Sequence, residues 1–199
     1  MDESFYDKLK ERVKTTLGEK GSHDFNHVER VYNYAIIISK GLNVDMDIVR
    51  TSALLHDISK ETETKGKIKD HAAKGAIEAR KILKKYNFPE EKIDAVCKCI
   101  LLHNKRQELP DVKEVRVLQE ADGLEAIGAV GIAREFSYNG ENSLWDKSSP
   151  NSPLNLILKK LTSNYFKLPI AKELAKRRLE VMKVFYDSFI KERPQKINS

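Results

Sequence analysis

Hydrophobic positions recur along most of this chain at helical spacing. Phe5, Leu9, Val13 and Leu17 lie four residues apart, which makes one slowly drifting apolar stripe, so residues 2–17 predict an amphipathic helix closed by the glycines at 18 and 21. Cap-type residues at 22–24 open a second helix through Ile38, with His27, Val31, Tyr34, Ala35 and Ile38 at i, i+4, i+7, i+8 and i+11. A third, over 45–56, groups Ile48, Val49, Ser52, Ala53, Leu55 and His56 on its inner side. Residues 61–70 are polar, contain Gly66 and predict an exposed loop. Helical spacing resumes over 71–86 with Ala72, Ala73, Ala76, Ile77, Ala79, Ile82 and Leu83. After a break at Asn87, Phe88 and Pro89, Ile93, Val96, Ile100 and His103 follow at i, i+3, i+7 and i+10.

Residues 114–136 predict one long or kinked helix with Val115, Leu118, Asp122, Ile127, Val130 and Ile132 on its inner face. Residues 137–153, rich in Gly, Asn, Ser and Pro and carrying Trp145, predict a loop long enough for a lid or for a contact between copies in a homo-oligomer. Amphipathic helices over 154–166 and 170–192 complete the chain. With no repeat, strand pattern or low-complexity segment, the fold class expected is all-α: a single-domain helical bundle over 1–199, its core helices at 22–136 and its C-terminal helices at 154–192 packed on them.

Composition narrows the function. The 199 residues, 40% of them hydrophobic, suffice for one substantial core. The two cysteines, Cys97 and Cys99, form a C-x-C pair inside an apolar helix, a placement for core or edge thiols rather than a disulfide framework or a four-ligand zinc site. The first residues lack a basic and then apolar leader, and no apolar run has the length of a membrane span, so a soluble cytoplasmic protein is expected. The net charge of +6 is concentrated after Leu156, in Lys159, Lys160, Arg177, Arg178 and their neighbours. These cations are interspersed with acids on helices and lack an aromatic platform, which fits a solvated face and argues against nucleic acid as a partner.

All five histidines, His23, His27, His56, His71 and His103, fall in the first 103 residues, several of them at helix ends or on apolar faces. At the end of an apolar run His56 adjoins Asp57. Neighbouring side chains on a regular helix point about 100° apart, so this pair can share one cation only where the helix ends or bends. Singly, each has an ordinary structural explanation: a His on an apolar face is usually a hydrogen-bonded core residue. Asp122, on the apolar face of its helix, is costly unless paired, hydrogen-bonded or bound to metal. Taken together they run His, His-Asp, Asp, each from a different helix, a donor set that suits Mn, Fe, Co, Ni or Zn, or Mg where oxygen ligands dominate.

The segments that hold these residues, HDFNHVERV (23–31), SALLHDISK (52–60), HAAKGA (71–76), LLHNKR (101–106) and LQEADGLEAIGAVGIAREF (118–136), resemble the HD-domain superfamily of metal-dependent phosphohydrolases, especially its small bacterial and archaeal members. The likeness extends to the closing helix and so spans almost the whole chain. It implies a helical bundle with one divalent metal at its centre, held by His27, His56, Asp57 and Asp122. In relatives with two metals further histidines lie between the His-Asp pair and the last Asp, the intervals His71 and His103 occupy; in one-metal relatives such histidines shape the pocket or contact phosphate.

The activity so implied is hydrolysis of a small phosphorylated molecule, a nucleotide first, by metal-activated water. Asp57 or His103 would accept the proton, and Lys60, Lys105, Arg106 and His71 would contact phosphate, Lys60 also serving catalysis. A non-catalytic sensor that binds metal or nucleotide, or a di-iron oxygenase using both His71 and His103, would fit the same scaffold. The intact four-residue ligand set favours the hydrolase.

Overall fold

The computed structural model describes residues 1–18, 24–64, 66–105, 112–140 and 152–192, and among these every regular element is a helix. They divide into two compact units, Met1–Gly123 and Leu124–Ser199.

The first unit opens with α1 (Glu3–Leu17), capped by the Asp2 carboxylate, which accepts from Phe5 N. Its stripe of Phe5, Leu9, Val13 and Leu17 is buried, and Tyr6 with it. Then follow α2 (Phe25–Ile38), α3 (Met46–Leu55), α4 (Lys60–Thr64), α5 (His71–Lys85), α6 (Glu90–Leu102) and most of α7 (Lys113–Glu125). Asp24, Asp45 and Asp70 cap α2, α3 and α5. At the far end of α5, Asn87 takes a left-handed φ of 53°, which turns the chain toward Pro89 and α6. Helix α3 is the axis of the unit. It packs against α1, α2 and α6, and Thr51 through Leu55 are all buried, as befits a helix covered on every side. Helix α6 packs in turn on α5.

The second unit contains the last residues of α7, then α8 (Gly128–Gly140), α9 (Pro153–Leu161) and α10 (Pro169–Lys191), packed pairwise. Phe136 meets Phe185 edge to face at 5.7 Å, and the Arg178 guanidinium donates to the Leu124 carbonyl. No helix among the described residues is long and apolar enough to cross a membrane.

Several boundaries differ from expectation. The helix expected over 114–136 is two, because Gly128 adopts a φ of +76° with Arg178 so close that an added Cβ would stand 3.1 Å from it. Residues 60–64, expected to be loop from 61, form a helical turn. Ser137–140 continue α8, α9 begins at Pro153 and ends at Leu161 rather than near 166, and residues 141–151, with Trp145, lie outside the described residues. Ile77 and Val130, placed on inner faces by spacing, are 55% and 39% exposed.

Asp47 ties α1, α3 and α6 together: Tyr6 Oη donates to its Oδ1 and Lys92 Nζ to its Oδ2, each at 2.7 Å. Partial burial opposes its ionisation, but these hydrogen bonds outweigh that and hold the carboxyl well below the usual range. A carboxylate depressed in the folded state stabilises above its unfolded pKa and loses that contribution as pH falls. Asp47→Asn should therefore cost about 1–2 kcal/mol at pH 7, with the gap to wild type closing below about pH 4; urea unfolding followed by circular dichroism at both pH values measures it.

Candidate metal centre

Helix ends deliver every group of the centre. Asp24 caps α2 by accepting from His27 N at 3.0 Å, which sets His27 in the first turn with its side chain buried. Helix α3 stops at Leu55, and the bonds from Ile58 N to Leu55 O and from Lys60 N to Asp57 O tighten the next residues into a turn. There His56 and Asp57, adjacent in sequence, face the same interior space. His71 is the first residue of α5, His103 caps the end of α6, and Asp122 projects from α7.

Asp57 is the hub. Its Oδ2 lies 3.6 Å from His56 Nε2 and 3.7 Å from His27 Nε2; its Oδ1 lies 3.3 Å from His71 Nε2 and 3.6 Å from His103 Nε2. The imidazoles also approach in pairs, His27 to His56 at 3.4 Å and His71 to His103 at 3.3 Å between Nε2 atoms. Asp122 joins through His27, Oδ1 to Nε2 at 3.5 Å, with 19% of its side chain exposed where Asp57 has 4%. Among the described residues, two groups thus have ligand atoms within 4.8 Å of one another: His27, His56 and Asp57, and Asp57, His71 and His103.

The proton positions follow from the partners on the other ring nitrogen. His56 Nδ1 lies 2.8 Å from the Ala53 carbonyl and His103 Nδ1 2.6 Å from the Ile100 carbonyl. A carbonyl only accepts, so each Nδ1 carries the hydrogen, and in the neutral ring each Nε2 presents a lone pair to Asp57. His71 Nδ1 lies 2.9 Å from Glu63 Oε2, with the same result. Lone pairs therefore converge on a buried carboxylate, an arrangement that is costly unless cations lie among them.

Burial pushes His56 down to about 4, which keeps it in the neutral, metal-binding form. Burial also opposes charge on Asp57; imidazoles that present N–H or positive charge to it hold it well below the usual carboxylate range, a role that cations take over where the nitrogens are bare. His103 moves up because Asp57 outweighs its burial.

The donor set fits a divalent ion on geometry as well as chemistry. Bonds of about 2.1 Å at angles of about 90° to 109° separate neighbouring ligand atoms by roughly 3.0–3.4 Å, close to the 3.3–3.7 Å found here. The rings pack edge to face in the order His27, His56, His103, His71, with centroids 5.2–5.4 Å apart, so the two groups form one continuous centre.

Of the residues expected to meet phosphate, Lys60 is at the centre's edge, its Nζ 2.5 Å from Glu63 Oε2 and 3.4 Å from His71 Nδ1. Lys105 is exposed two residues beyond His103. Arg106 and His23 lie outside the described residues.

Two contributors escaped the sequence reading. Glu63 sits in the segment expected to be loop, where nothing in the pattern distinguishes it from neighbouring acids. Gln119 is fully buried and donates from Nε2 to the carbonyls of Leu102 at 2.9 Å and Lys105 at 3.3 Å, closing the end of α6 on either side of His103. Its spacing of three from Asp122, on one helix face, was a usable signal.

Comparison with known proteins identifies the family. A family model described as HD domain matches residues 24–127. YpgQ, an uncharacterised protein of Bacillus subtilis, is 34% identical over 127 residues, which are 61% of this chain and 60% of the relative; the match thus spans less than two thirds of that protein's length. Among solved structures, an HD-superfamily hydrolase from Bacillus thuringiensis is similar with a TM-score of 0.73 and 28% identity, covering 96% of this chain and 97% of that one. The crystal structure of Bacillus subtilis YpgQ in complex with ADP gives a TM-score of 0.70 and 29% identity over 95% of this chain and 98% of that one.

A ligand that binds only the folded state at 100 times its Kd adds about 2.7 kcal/mol, roughly 5–10 °C in Tm for a chain of this size. Manganese added to chelator-treated protein should produce such a rise in a thermal melt. His56→Ala should remove most of it.

Proposed function

The chain belongs to the HD-domain family, and on that premise we propose that it is a divalent-metal-dependent phosphohydrolase acting on a small phosphorylated molecule of the nucleotide class. The observation that carries the reading is the set of imidazole lone pairs around the buried Asp57 carboxylate, which cations neutralise. His27, His56, Asp57 and Asp122 would hold one ion, and Asp57, His71 and His103 a second. When bound, such ions lower the pKa of a water toward neutrality and draw charge from phosphoryl oxygens, as attack on phosphorus requires.

The remaining tasks fall to the chain itself. Asp57, held well below the usual carboxylate range, stays ionised. It can orient the attacking water by accepting a hydrogen bond, and His103 can take up that water's proton where the second group holds no ion. Lys60, about one fifth exposed and steadied by Glu63, places a positive charge where a substrate phosphate would meet the centre. Lys105 and its sequence neighbour Arg106 are proposed for the same purpose. The nucleotide class is supported by the YpgQ complex with ADP, a protein similar to nearly all of this chain.

A phosphate-release screen over nucleotides, with Mn, Mg, Co and Fe supplied in turn, tests the proposal. Release should require an added metal and vanish in Asp57→Asn and Asp122→Ala. Lys60→Ala should raise KM by about 10- to 150-fold, the equivalent of a charge-assisted hydrogen bond of about 1.5–3 kcal/mol. Metal uptake without turnover would instead mark a sensor, and iron-dependent oxygen consumption an oxygenase.

A further inference from the structure

Three imidazoles of the centre have their outer nitrogen fixed by a partner, and the partners are of two kinds. His56 and His103 are held by carbonyls three residues earlier in their own helices, buried groups that no side-chain change removes. His71 is held by a side chain, Glu63, on the five-residue helix α4.

Glu63 grips His71 twice: Oε1 accepts from the backbone N of His71 at 3.2 Å, and Oε2 lies 2.9 Å from ring Nδ1. The first bond satisfies a free N–H at the start of α5, next to the Asp70 cap on Ala73 N, and anchors the residue. The second places the hydrogen on Nδ1 and turns the Nε2 lone pair toward Asp57 Oδ1 and His103 Nε2, each 3.3 Å away. The same Oε2 accepts from Lys60 Nζ at 2.5 Å. With 25% of its side chain exposed, Glu63 is also the most solvent-accessible of these three anchors.

We propose that Glu63 is the positioning residue of the second group: by fixing the ring orientation and tautomer of His71 it sets how tightly the Asp57, His71 and His103 group holds its ion, while the His27 side depends on it little. The inference rests on the two-ion reading above. Carboxylates that orient a ligating histidine from behind contribute about 10- to 100-fold in metal affinity. The second ion is consequently the labile one, and its affinity is tuned by a residue that touches neither substrate nor metal.

The test combines manganese binding by equilibrium dialysis with the imidazole 15N shifts of His71 in metal-free protein, on wild type, Glu63→Ala, Glu63→Gln and His71→Ala. Wild type should bind two ions and show His71 protonated at Nδ1. Glu63→Ala should weaken the second ion by about 10- to 100-fold, leave the first unchanged and mix the His71 tautomers. Glu63→Gln, which keeps an accepting oxygen, should fall between. Retention of the first ion confirms folding of each variant. Two ions in Glu63→Ala at wild-type affinity, with His71 still protonated only at Nδ1, would overturn the inference while sparing the two-ion reading. A single ion in wild type, unaffected by His71→Ala, would overturn both.

Discussion

A single buried carboxylate, Asp57, constrains the structure around it. Its two oxygens each face a pair of imidazole nitrogens at 3.3–3.7 Å, and at least three of those imidazoles turn lone pairs toward it. A polar cluster so deep would be a defect in an ordinary core, since unpaired buried acceptors cost roughly 1–3 kcal/mol apiece. Here it is built by the most covered helix of the first unit, α3, whose end places His56 and Asp57 in a turn rather than on a regular helix.

That turn is the structural solution to a problem the dipeptide poses. Two adjacent residues on an unbroken helix diverge, so a His-Asp pair serves one centre only where the helix stops. Helix ends supply the other groups as well: the first turn of α2, the first residue of α5 and the cap of α6. Ends suit this task because they leave carbonyls and N–H groups without helical partners. In α3 and α6 a carbonyl near the end holds the ring of the histidine that follows, so the local chain both terminates the helix and selects the tautomer.

Much of this was legible beforehand. Helical spacing placed His27, His56, His103 and Asp122 on inner faces because each falls in register with large apolar neighbours, and the HD-type motifs pointed to the grouping. Register fails where a signal is absent or mixed. Ile77 and Val130 are apolar on exposed faces, which spacing cannot distinguish from core. Glu63 lies in a polar segment without periodicity, and its importance comes from a contact eight residues away with His71 that only the folded turn creates. The break before α8 depends on Gly128 meeting Arg178, fifty positions apart, so local pattern over 114–136 reads as one helix. Tyr6 and Tyr32, buried beside the expected stripes, had no competing claim in a four-residue spacing.

The central claim is that Asp57 joins two metal-binding groups. Crystals grown with manganese, measured at energies on either side of its absorption edge, test it most directly through the anomalous difference map. The account predicts two peaks flanking the Asp57 carboxylate, one toward His27 and His56 and the other toward His71 and His103. A single peak away from Asp57, or none in crystals whose protein retains the fold, would contradict it.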